Sequence, residues 1–184
     1  MTQLPADVVG FWRAAGPAKW FTKDRGFDAD IRSRFEGLHH GAARGEHDEW
    51  TGSTEGALGL ILLFDQLPRN LWRGSAHAFA TDPLARKRAR EAIEAGHDQA
   101  TAPALRPFFY LPFEHSEDAA DQALSVELHD TLARAVNDRG VAKWARSHRD
   151  IIARFGRFPH RNRCLGRETT IEEQAFLDAG GFAG

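Results

Sequence analysis

Two stretches of this chain place guanidinium, amide and carboxylate groups where the backbone is expected to turn. The first reads Phe64-Asp65-Gln66-Leu67-Pro68-Arg69-Asn70, followed by Arg73-Gly74. The second reads Phe155-Gly156-Arg157-Phe158-Pro159-His160-Arg161-Asn162, followed by Gly166-Arg167. In each, a proline removes a backbone donor and restricts the residue before it, so a helix should stop there. Guanidinium forks suit a carboxylate or phosphate, and an asparagine amide both donates and accepts. These residue types point to a site for a small anion held by Asp65, Arg69, Asn70, Arg73, Arg157, Arg161 and Asn162. The competing reading is structural, with Arg and Asn bonding exposed helix carbonyls at two elbows.

Acid–base chemistry is offered by another segment, Pro112-Phe113-Glu114-His115-Ser116-Glu117-Asp118, and by His148. Helix capping explains Ser116, Glu117 and Asp118 well, and Glu114 and His115 less well. His148 sits inside an apolar stripe. It is either a core histidine with a satisfied hydrogen bond or a group facing a pocket. Burial would keep it neutral, the form that a general base or a metal ligand needs. Phe155 lies about two helical turns beyond His148, and the turn at Pro159 is expected to bring His160 back to the same face. Glu114, His115, His148 and His160 are therefore the candidate catalytic group, with both Arg-Asn elbows expected to border the same cavity. As a metal motif the set is weak, lacking H-E-x-x-H, paired Glu-x-x-His or a cysteine cluster. The sequence names no metal and no cofactor. Nucleotide-binding glycine loops and a G-x-S-x-G elbow are absent too. Cys164, beside Arg163, has no positioned base and reads as a bystander thiol.

Helices must position these groups. Phe27, Ile31, Phe35 and Leu38, after Asp24, recur at steps of three and four, and Ser53 caps a segment that is apolar nearly all round from Leu58 to Phe64. Thr81 or Asp82, with Pro83, opens another helix that ends near Gly96. Its Arg86, Lys87, Arg88 and Arg90 read as a solvated basic face. Ser116 is expected to cap a helix with Leu124, Leu128 and Leu132 on its buried side. Val141, Trp144, Ala145, Ile151, Ile152 and Phe155 form the next stripe. Thr169 with Glu172, or Thr170 with Glu173, has capping-box spacing. Leu60, Leu63, Leu128, Trp144, Ile151 and Ile152 are the expected core. No long period-two alternation occurs. The prediction is an all-α protein of antiparallel helix pairs, a superhelix or a bundle, in one domain over residues 1–184.

Composition bounds the rest. The chain has 184 residues, 42% hydrophobic and 27% charged, an ordinary globular mixture. A net charge of -2 gives no global field for nucleic acid or anionic membrane, so neither partner is expected. A single cysteine excludes an intramolecular disulfide, and the start of the chain lacks a signal-like basic and apolar pattern; the expected location is the cytoplasm.

Beyond these readings, the strings Asp65-Gln66-Leu67-Pro68-Arg69-Asn70, Leu111 through Asp118, His148-Arg149-Asp150 through Asn162, Leu165-Gly166-Arg167 and Thr170-Ile171-Glu172-Glu173 resemble a bacterial family catalogued as domain of unknown function 924. The resemblance runs from about Phe11 to Leu177 and implies an all-helical fold similar to tetratricopeptide-repeat superhelices. It implies no activity and no catalytic residues. No 34-residue repeat is readable, so peptide binding does not follow from the likeness. Two function classes stay open: a small-molecule enzyme or binding protein with a polar pocket for an anion or a metal, and a helical module that docks a peptide.

Overall fold

Asp24 does what its position suggests: its carboxylate accepts from the amides of Gly26 and Phe27 and opens a long helix. In the computed structural model, which describes residues 3–183, helices follow one another throughout, and no strand occurs among the described residues. The chain forms two compact units, one of residues 1–73 with 77–112 and the other of residues 74–76 with 113–184. Each is described by itself.

The first unit contains α1 (Pro5–Ala15), α2 (Pro17–Trp20), α3 (Arg25–Ala43), α4 (Thr54–Ile61), α5 (Leu67–Leu71), α6 (Asp82–Glu94) and most of α7 (Pro107–Glu114). Helix α4 starts at Ser53, whose hydroxyl accepts from the Gly56 amide. It packs against α1 and α6. Every residue from Leu60 to Phe64 is at most 1% exposed, as expected for a central helix. Trp12 of α1 and Phe27, Ile31 and Phe35 of α3 are buried in the same unit. Burying each such side chain contributes about 2 kcal/mol.

The helix does not stop at Pro68, contrary to the sequence expectation. A π turn over Leu62–Gln66 joins α4 to α5, and Pro68 sits in the first turn of α5. The reason is an accounting of carbonyls. The Leu67 amide reaches back five residues to the Leu62 carbonyl, and Pro68 has no amide to give. The carbonyls of Leu63 and Phe64 therefore lose their intrahelical donors. His39 Nδ1, 2.8 Å away, serves the first, and the Thr81 hydroxyl, at 2.7 Å, donates to the second. Thr81 thus spends its side chain on this repair, and α6 begins without a side-chain cap.

The second unit contains α8 (Ala119–Ala135), α9 (Lys143–Phe155) and α10 (Ile171–Asp178). Helices α8 and α9 pack together. The connection between them is short, and Arg146 near the start of α9 meets Asp130 near the end of α8 at 2.5 Å. Asp118 caps α8 by accepting from Ala120 and Asp121. Ser116 was expected in that role; its hydroxyl instead donates to the Asp121 carboxylate at 2.7 Å. Helix α10 opens with the reciprocal capping box of Thr170 and Glu173.

Two residues expected in the core differ. Trp144 is 56% exposed, because Ala145, His148, Ile151 and Ile152 take the inner face of α9. Leu128 is only half-buried, because the innermost face of α8 is Asp121, Gln122, Ser125, His129 and Leu132, mostly polar. That polar inner face belongs to the candidate site.

Candidate functional site

The second unit brings together Glu114, His115, His148 and His160. Helix α7 ends at Glu114, and the Gln122 side-chain amide fixes that end by donating to the carbonyls of Glu114 (2.6 Å) and Ser116 (2.7 Å). The Glu114 carboxylate is then held where both its oxygens meet imidazoles. Oε1 lies 3.3 Å from His148 Nδ1, and Oε2 lies 3.9 Å from Nε2 of His129. The three residues are each 3–4% exposed.

Backbone carbonyls assign the imidazole tautomers. His148 Nδ1 is 2.9 Å from the Trp144 carbonyl, and His129 Nδ1 is 2.9 Å from the Ser125 carbonyl. A carbonyl only accepts, so each Nδ1 carries a proton and each Nε2 of the neutral ring offers a lone pair. Burial depresses His148 to about 4, a shift the Trp144 bond only partly offsets and to which His115 and Arg161 add. Burial likewise lowers His129. Burial thus favours the neutral form of both rings.

His115 and His160 complete the surround. The His115 ring centroid lies 6.4 Å from that of His148. Phe158 stands between the other two, 5.4 Å from His148 and 5.6 Å from His160. The return of the chain at Pro159 that the sequence suggested is therefore present. It is made by Gly156, which ends α9 in the left-handed conformation (φ 69°) that glycine adopts without a Cβ penalty. Arg161 stacks its guanidinium over Phe158 at 4.5 Å.

His129 is a member that sequence reasoning missed. The available signal was Gln122, Ser125 and His129, a polar stripe at steps of three and four on a helix whose leucines drew the attention.

The Arg-Asn elbows are engaged by carboxylates. In the first unit, Arg69 forks onto Asp82 (2.9 and 3.1 Å) and lies 3.2 Å from Asp65. Arg73 binds Asp28 at 2.7 Å, and Asn70 donates to the same carboxylate at 2.8 Å. In the second unit, Arg157 forks onto Glu173 at 2.6 and 2.9 Å, and Asn162 adds a bond to Glu173 at 3.2 Å. Arg157, with the Thr170 and Asn162 bonds, holds Glu173 down to about 2. Arg167 closes on Glu117, whose Oε1 also accepts from the Phe158 amide. The charge of Arg69, Arg73 and Arg157 is thus met within the protein, and Asp65, Asn70 and Asn162 belong to the same braces. Cys164 is half-buried, its thiol 3.2 Å from the Arg161 carbonyl.

Among the described residues, no group of three or more His, Cys, Asp or Glu side chains is arranged to hold a metal ion. No helix among them is long and apolar enough to cross a membrane. Beside α9 runs an open groove of about 410 Å³, walled by Trp144, Ile151, Phe155, Phe176 and Phe182, with Arg154 at its rim.

These features define an all-helical protein whose second unit encloses a histidine–carboxylate cluster. The chain belongs to a family described as bacterial protein of unknown function (DUF924), whose model matches residues 8–181. It is similar to the solved structure of a protein of unknown function, ATU0120, from Agrobacterium tumefaciens: 52% identity, 96% of this chain and 97% of that one covered, TM-score 0.91. No curated protein matches.

Proposed function

We propose that this protein binds a small organic anion at the Glu114–His148 cluster and that His148 acts there as a general base. The observation that carries the reading is the convergence of Glu114, His129 and His148, from three separate helices, on one buried carboxylate. A neutral imidazole with Nδ1 tied to a carbonyl presents Nε2 as the basic atom. Glu114, beside the protonated nitrogen, orients the ring and would stabilise the imidazolium formed when Nε2 takes a proton. His129 Nε2, an acceptor 3.9 Å from Oε2, offers a second site for a proton when the Glu114 carboxyl carries one. Arg161, whose positive charge disfavours a protonated His148, favours a ligand that brings negative charge. Of the elbow arginines, Arg69, Arg73 and Arg157 are taken up by carboxylates of the protein, and Arg161 is the one assigned to the ligand.

A thermal-shift screen of the purified protein against small organic acids, run beside His148→Gln, tests the reading. The expected result is an acid that stabilises wild type by several degrees and the variant by less than half as much. An acid that stabilises both equally, or no stabilising acid at all, overturns it. The peptide-docking reading is favoured by one observation, the groove with its exposed Trp144. It predicts peptide binding that His148→Gln leaves unchanged.

A further inference from the structure

Phe182 separates the open groove from the buried histidine. Its ring is part of the groove wall. Its other side lies against His148, with ring centroids 4.4 Å apart and planes at 64°, and against His160 at 5.0 Å and 85°. Trp144 stands 6.1 Å away on the groove side. The contacts with His148 and His160 are edge-to-face, and that with Trp144 is tilted. His148, by contrast, forms no part of the groove wall.

The segment that delivers Phe182 is shaped for it. Helix α10 ends at Asp178, and Gly180 turns the chain with φ +81°. Gly181 donates its amide to the Phe176 carbonyl at 2.9 Å, and a Cβ on it would stand 2.6 Å from that oxygen. Only glycine fits so close an approach. Gly180 likewise donates to the Leu177 carbonyl at 3.1 Å; among the described residues Phe182 is held through its ring, packed against Ile151, Ile152 and Phe158, and it is only half-buried. A side chain held in this way can leave without breaking a hydrogen bond of its own.

We propose that Phe182 is a gate over His148, and that the space its ring fills among His148, Phe158, His160 and Trp144 is a subsite for the planar aromatic or heteroaromatic part of a ligand. The ligand's ring takes the place of the chain's own ring and brings the rest of the molecule to Nε2 of His148. This inference rests on the reading of His148 as the reactive group, but its test does not require the anion to be known.

Two measurements on the full chain test it. Diethyl pyrocarbonate acylates accessible neutral imidazoles, and peptide mass spectrometry reads each histidine separately. In Phe182→Ala the labelling rate of His148 rises tenfold or more, while those of buried His129 and exposed His40 stay at their wild-type values. Phe182→Leu, which keeps most of the bulk, falls between the two. A His148 rate unchanged in Phe182→Ala, or one that rises only in step with His129, overturns the gate. In the second measurement, calorimetry with indole as the probe gives at least tenfold tighter binding to Phe182→Ala than to wild type. Indole that fails to bind the variant, or binds both equally, overturns the subsite. If the labelling and indole results hold while the organic-acid screen fails, the gate survives and the general-base reading falls.

Discussion

Oε1 of Glu114 lies 3.3 Å from Nδ1 of His148, and the same nitrogen lies 2.9 Å from the Trp144 carbonyl. One imidazole proton thus faces both a carboxylate and a backbone acceptor in a nearly dry setting.

The first prediction concerns pH. Burial puts the folded-state pKa of His148 near 4, below the 6.5 of an exposed histidine. The unfolded chain therefore binds a proton between these values that the native protein refuses. The contribution is fully present above about pH 6.5, is lost as the pH falls through that window, and levels off below pH 4. Its size is on the order of 3 kcal/mol. Denaturant unfolding at a series of pH values should show this slope in wild type and a clearly smaller one in His148→Gln. Equal slopes would show that His148 is not held neutral.

Arg69 gives the second. It stands between the buried carboxylates of Asp65 and Asp82. Removing the cation leaves two carboxylates facing one another, a change that costs about 3–5 kcal/mol. Arg69→Ala should lower the thermal midpoint by roughly 10 °C. Added phosphate or citrate should not stabilise wild type in a way that this variant loses. Loss of such anion protection would restore Arg69 to the binding site.

Glu173 provides the third. It caps α10, accepts the Arg157 fork and takes the Asn162 bond. Glu173→Ala should cost about 2 kcal/mol or more, since charged hydrogen bonds and a cap are lost together. Because the folded-state pKa is depressed to about 2, the wild-type contribution is complete above about pH 4.5 and disappears as the pH falls through 2. Acid titration followed by circular dichroism should show that the variant lacks this component.

The fourth tests the carbonyl repair at the π turn. Thr81→Val keeps the shape and removes the hydroxyl that serves the Phe64 carbonyl. An unserved buried carbonyl costs about 1–3 kcal/mol. The urea midpoint should fall accordingly with an unchanged slope. A midpoint equal to wild type would mean that the carbonyl finds another donor.

Much of this architecture is readable from local pattern. The caps at Ser53 and Thr170 and the periodicity of Phe27, Ile31 and Phe35 depend on residues within a few positions of one another, which a sequence displays directly. The repair at Pro68 does not. His39 and Thr81 reach the freed carbonyls from distant parts of the chain, and the proline by itself signals a stop. Burial of a polar face is equally hidden. The leucines of α8 advertise one stripe, while Gln122 and His129 are drawn inward by the carbonyls and carboxylate of the α7 end. In the candidate site, the helical step from His148 to Phe155 and the turn at Pro159 made the nearness of His148 and His160 readable, whereas no local pattern brings Glu114 and His115 to them. The elbow arginines looked like anion ligands because Asp28, Asp82 and Glu173, which neutralise them, come from other helices.

The π turn also sets a register. Between Ser53 and Leu71 the chain carries a turn of five residues where an α-helix would use fewer. Deleting one residue from Leu62–Gln66 would let this wide turn close to an ordinary α turn, leaving Asn70 and Arg73 facing Asp28 and Arg69 facing Asp82. Deleting a second residue exceeds that slack and should rotate everything beyond by about 100°, disabling three ion-pair or amide contacts at once.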